Sequence, residues 1–123
     1  MGSKLRPAET EREWWGMLKS PDSTFIRSMD DWTCAIRDPR SNPLRGCSDD
    51  AIKHFTEHLE FANGGLAHAD YGAVVEEMNY VQFRDLWASF GLSMRLFADH
   101  EDMKCESKGT CTWAHLKICT SNC

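Results

Sequence analysis

Apolar residues along this chain recur at intervals of three and four, and the elements this spacing predicts are helices. Thr10 followed by Glu13 forms a capping-box pattern, after which Trp14, Met17 and Leu18 share one face. Pro21-Asp22-Ser23 interrupts that helix, and Phe25, Ile26, Met29, Trp32 and Ile36 follow near helical spacing. The stretch from Asp38 to Gly46 holds two prolines and a glycine and is expected to be a loop. Ser48 with Asp49 and Asp50 caps the next helix, whose apolar face is Ile52, Phe55, Leu59 and Ala62; Asn63-Gly64-Gly65 then ends the run. Residues 67–78 are expected to be helical. The clearest periodicity is at Tyr80, Phe83, Trp87 and Phe90, with Gly91 as its stop, and Met94 and Phe97 suit a short further helix. No alternating strand pattern stands out. The expectation is an all-α fold: a small helical bundle over residues 8–103, followed by a cysteine-rich C-terminal tail over residues 104–123.

The tail changes the picture. It holds Cys105, Cys111, Cys119 and Cys123, four of the six cysteines, interleaved with Ser107, Thr110, Thr112, Thr120 and Ser121. So short a segment cannot bury a core of its own, so covalent or metal cross-links are expected to organise it. The remaining pair, Cys34 and Cys47, flanks the Pro/Gly loop. A disulfide would close that loop in an oxidising compartment, and two free thiols would serve in a reducing one.

Composition bounds the function. The chain has 123 residues, enough for one domain, and 41% of them are apolar, which excludes wholesale disorder. The net charge of −5 leaves no basic stripe for phosphates, so no nucleic-acid partner is expected. No run approaches the roughly 18 apolar residues of a membrane span. No signal-peptide core is visible at Met1-Gly2-Ser3 and the residues after it. The expected location is the cytoplasm, as a precursor, or outside the cell, if a signal peptide was removed.

Three constellations carry chemistry. His54-Phe55-Thr56-Glu57-His58 is an H-x-x-E-H string, which on a helix sets two imidazoles one turn apart, where they can share a zinc ion. Glu57 would polarise the metal-bound water as the catalytic base. Glu76 or Glu77 would be the third protein ligand if Asn63-Gly64-Gly65 reverses the chain. The string HFTEHLEFANGG resembles the zinc helix of inverzincin peptidases over about a dozen residues, which implies a zinc hydrolase. Against it, His54, Glu57 and His58 read equally as the polar face of a helix whose Phe55 and Leu59 face the core. No cofactor is expected on the other readings.

The second constellation is the tail as a disulfide framework. The spacings lack the C-x2-C knuckle of metal sites, and an even cysteine count suits bridges. It predicts a secreted, disulfide-stapled helical binding or effector protein with a protein target.

The third takes hydroxyls and thiols together. Dehydrated Ser or Thr is an alkene to which a cysteine thiolate adds, leaving a thioether ring. Thr112, Thr120 and Ser121 would be dehydrated, and Cys111, Cys119 and Cys123 would close rings, with Cys105 beside them. The terminal Cys-Thr-Ser-Asn-Cys resembles the ring segments of lanthipeptide (lantibiotic) precursors. The stretch Glu57-His58-Leu59-Glu60-Phe61-Ala62-Asn63-Gly64-Gly65 resembles the end of a double-glycine leader. That resemblance implies a ribosomally made antimicrobial or signalling peptide whose partner is a modifying enzyme.

Overall fold

The computed structural model describes residues 7–20, 25–120 and 122. It shows five α-helices and four β-strands in the order α1 (Glu11–Lys19), α2 (Met29–Arg37), α3 (Asp49–Glu57), β1 (Glu60–Ala62), β2 (Gly65–Asp70), α4 (Tyr80–Ser89), α5 (Met94–His100), β3 (Glu101–Ser107) and β4 (Thr110–Cys119), with a 3-10 turn at Val75–Glu77. The fold is therefore mixed α/β, and the all-α expectation is corrected by an antiparallel sheet of order β1-β2-β4-β3. The break expected at Pro21-Asp22-Ser23 lies outside the described residues.

Helices form around Trp14, Trp32, Phe55, Trp87 and Phe97 as the spacing predicts, each with a side-chain cap, but α3 ends before Leu59 and Ala62, and residues 67–78 hold the end of β2 and a 3-10 turn instead of the expected helix. Thr10, Ser28, Ser48, Asn79 and Ser93 accept the N–H of Glu13, Asp31, Ala51, Gln82 and Leu96, respectively. The strands explain the difference. Asn63 (φ 52°) and Gly64 (φ 93°) are consecutive left-handed residues, and Ala62 pairs with Gly65 across them. Asn-Gly in this conformation is a two-residue hairpin turn, so the chain reverses into a strand instead of stopping a helix. Residues expected to begin the next helix are β2, buried on both faces and therefore without alternation.

The expected boundary between residues 103 and 104 falls inside β3. β4 pairs with β2 as well as with β3, so the cysteine-rich segment is continuous with the sheet. β4 is not straight. Its register on β3 jumps from Met103↔Trp113 to Glu101↔Ile118, leaving residues 114–117 as a wide bulge. Leu116 takes φ 58° there; its N–H donates to Asp102 Oδ1 (2.9 Å) and its carbonyl accepts from the Tyr71 N–H (3.1 Å). Both backbone groups of a strained residue are thereby satisfied.

The core lies between the helices and the sheet. Trp32 stacks on Phe90 (5.5 Å) and packs on Phe55, while Trp87 sits among Phe55, Tyr71, Phe83, Phe90 and Phe97. Burial pushes the Tyr71 phenol up to about 12. Arg27 ties α1 to the β1–β2 turn: its guanidinium donates to the carbonyls of Leu18 (2.6 Å), Ser20 (2.6 Å) and Gly64 (2.8 Å). A Cβ at Gly65 would overlap Leu18 Cδ2, which is why α1 can lie so close to β2. Among the described residues, no helix is long and apolar enough to cross a membrane.

Candidate functional site

Directly opposed residues of neighbouring strands project to the same face of a sheet. Glu60 opposes His68, His68 opposes Cys119, and Asp70 opposes Lys117. One face therefore carries a carboxylate, an imidazole, a second carboxylate, a lysine and a cystine sulfur. Lys104 and Cys105 of β3 complete a cleft of about 420 Å³ with Glu60, His68 and Lys117. The C-terminal end of α3 overhangs one side of this face. His54 Nε2 lies 3.3 Å from Asp70 Oδ2, and the carbonyl of His58 accepts from His68 Nδ1 at 3.2 Å.

Each polar group has a distinct electrostatic role. Asp70 is largely buried; burial alone would raise its carboxyl. The Gly72 N–H (3.0 Å), the His54 ring and then Lys117 (3.7 Å) outweigh that and hold it below the usual carboxylate range. A carboxyl depressed on folding stabilises the fold fully above about pH 4 and loses that contribution as pH falls through its folded value. Asp70→Asn is accordingly expected to lower stability at neutral pH and to converge with the wild type in acid. Urea unfolding at several pH values checks this, and parallel curves down to acid would contradict it.

The expected zinc ligands are not assembled. His54 and His58 are brought together, with ring centroids 4.4 Å apart, and His58 Nδ1 donates to the His54 carbonyl at 2.8 Å. Glu77, however, accepts from the N–H (2.6 Å) and hydroxyl (2.8 Å) of Ser48, bonds that hold its carboxyl below the usual range. Ser48 is the N-cap of α3, and six residues at about 1.5 Å each separate it from His54. Glu77 thus closes the opposite end of the helix. Glu76 and Glu57 are exposed. Among the described residues, no group of three or more His, Cys, Asp or Glu is arranged to hold a metal ion.

The cysteines divide by position. Cys111 and Cys119 form a disulfide with their Cα atoms 5.9 Å apart, bridging the two limbs of the β4 bulge. Cys105, opposite Cys111, is disulfide-bonded as well. Cys34 and Cys47, for which the sequence left open a bridge across the Pro/Gly loop or two free thiols, are free thiols. The reason is helical phase: α2 buries Trp32, and Cys34, two residues on, points to the opposite side and is exposed. Cys47 packs against the core, where burial and then the Glu77 carboxylate push its thiol up.

The hydroxyls of the ring chemistry also have defined places. Thr112 opposes Lys104 on β3. Thr120 is fully buried; its hydroxyl donates to the Leu66 carbonyl (2.6 Å) and its N–H to Ala67 (3.0 Å). Ser121 and Cys123 lie outside the described residues. Asn122 is buried and laced to the β1–β2 turn: its amide donates to Ala62, and its carbonyl accepts from Asn63 Nδ2 at 2.9 Å.

Compared with known proteins, the chain matches no family, no curated protein and no solved structure. Function has to be argued from the cleft itself.

Glu60, His68, Asp70, Lys104 and Lys117 were not singled out by sequence reasoning. The available signal was Asn63-Gly64. Taken as a hairpin turn, it sets Glu60 opposite His68, and the His68-x-Asp70 alternation then places both polar residues on one face.

Proposed function

We propose that this protein is a disulfide-stapled binding or effector protein of an oxidising compartment, and that its polar sheet face is the recognition surface. The observation that supports this reading most directly is the Cys111–Cys119 bridge across the β4 bulge, beside the cleft. Disulfides persist where the surroundings are oxidising, and they hold recognition geometry that a small core cannot. Beside the bulge, Trp113 is 69% exposed and stacked near His115 (6.3 Å). An aromatic held out on a cross-linked strand costs little ordering entropy when a partner covers it.

The thioether-precursor reading would require Cys111 and Cys119 to be alkylated by dehydrated residues instead of by each other, and would require the buried Thr120 to reach a modifying enzyme. Mass spectrometry of the native protein separates the two. Each dehydration removes one water, whereas each disulfide removes two hydrogens. Thiol titration of native, unreduced material is expected to find Cys34 reacting quickly and Cys47 slowly, with Cys105, Cys111 and Cys119 silent until reductant is added. Reaction of those three cysteines without reductant, or loss of water from the tail, would reject the disulfide-stapled reading.

A further inference from the structure

We propose that the cleft lined by Glu60, His68, Lys104 and Lys117 binds a small molecule bearing a carboxylate or phosphate group. This assignment rests on the binding-protein reading above and names its ligand class. The cleft volume, about 420 Å³, falls among those of small-molecule sites, roughly 300–1,000 Å³.

The sign of the ligand follows from which charges are already satisfied. Asp70 is engaged by His54, Lys117 and the Gly72 N–H, so it presents little negative charge to the cleft. Glu60 stands on the rim with its side chain 66% exposed, 3.8 Å from the His68 ring, and pairs with that ring whenever it is protonated. Lys104 lies within ion-pair distance of no carboxylate among the described residues, and Lys117 shares its single carboxylate with His54. With the His68 ring protonated and paired to Glu60, the uncompensated charge of the cleft is positive and sits at Lys104.

His68 supplies direction. Only 8% of the residue is exposed, and its Nδ1 must carry a proton, because the partner at 3.2 Å is the His58 carbonyl, which can only accept. The tautomer is thereby fixed, and Nε2 has no hydrogen-bond partner among the described residues. When the ring takes a second proton, Nε2 becomes a donor. An anionic oxygen at that nitrogen would be favoured by the ring charge and would in turn favour ring protonation. The groups facing the ring are Glu60 from β1, His58 from α3 and Cys119 from β4; Lys104 and Lys117 line the same cleft. Anion uptake should thus be coupled to proton uptake.

The test is an NMR titration of the oxidised full chain with inorganic phosphate and, separately, with succinate. Ionic strength is held constant, and the His68 ring and Lys104 side chain are followed at about pH 6 and about pH 8. Saturable shifts at both residues with at least one anion, tighter at the lower pH, are expected. The anion that binds assigns the class. Lys104→Glu should weaken binding about tenfold or more, since it replaces a charge-assisted contact by repulsion, while Glu60→Gln should tighten it several-fold by removing the competing carboxylate. Both side chains are largely exposed, and neither carries a hydrogen bond that holds the backbone, so folding should be unaffected. Failure of both anions to give saturable shifts, or binding undiminished in Lys104→Glu, would overturn the assignment. Neither result would bear on the disulfides, whose state is read independently by thiol titration.

Discussion

Trp87→Ala is expected to remove about 3–5 kcal/mol of stability, the cost typical of deleting a fully buried large aromatic. Against a total of about 5–15 kcal/mol for a domain, that leaves the variant marginally folded or unfolded at room temperature. The reason is the position of the indole. It is fully buried, with Phe97 at 4.9 Å, Phe83 at 5.6 Å and Tyr71 at 5.8 Å, and it joins α4 to α3, α5 and the segment after β2. Removing it opens a cavity whose rings come from separate elements and cannot all collapse inward. Trp87→Phe should cost far less. The indole Nε1 is buried with no hydrogen-bond partner among the described residues, and an unsatisfied donor of that kind costs about 1–3 kcal/mol, so its removal offsets part of the lost volume. Chemical denaturation of the two variants checks the pair. A Trp87→Ala cost below about 1 kcal/mol would show that the core is not centred on this ring.

The contrast between helices and strands shows where local sequence carries information. At α3 the hydroxyl cap Ser48, the acids Asp49 and Asp50 and the apolar positions Ile52 and Phe55 all report the same element, and each acts within one or two turns. At Asn63-Gly64 the local signal is double-valued. A left-handed residue ends a helix as readily as it reverses a strand, and the choice depends on whether β2 finds β4 some fifty residues later in the chain. That pairing is not written in any window. β2 hides its identity because Leu66, Ala67 and Ala69 are all buried, so no face is polar enough to alternate until His68 and Asp70 are recognised as neighbours of α3. In β4 an alternation does exist, with Cys111 and Trp113 opposing Cys105 and Met103, but the cysteines concealed it by pointing to cross-link chemistry. The candidate site inherits both obscurities. Its five cleft residues come from all four strands, and only their register brings them together. His54 and His58 were legible as a pair because helical spacing alone sets them one turn apart; what they face, Asp70 and His68, was not.

Replacing Cys111 and Cys119 together by Ser is expected to have the next largest effect. The bridge closes a separation of eight residues, and the loss of that constraint on the unfolded chain corresponds to about 2.5 kcal/mol at 25 °C, or a fall in Tm of roughly 10 °C for a chain of this size. The folded state adds to the loss. Residues 114–117 bulge away from β3, Leu116 sits at φ 58°, and beyond the pairing of Lys117 with Asp70 on β2 the bend is held by the bond from the Leu116 N–H to Asp102 and that from the Tyr71 N–H to the Leu116 carbonyl. Two hydrogen bonds of about 1 kcal/mol each do not compensate for a freed limb of β4, so the bulge should loosen before the sheet does. Lys117, next to the bent residue, carries one wall of the cleft and would move with it. Anion affinity should therefore fall together with Tm in the double variant, and hydrogen exchange should quicken first at Trp113, His115 and Leu116. Unchanged melting, with exchange at these amides as slow as in the wild type, would mean that the hydrogen bonds alone hold the bulge and that the disulfide is dispensable to the recognition face.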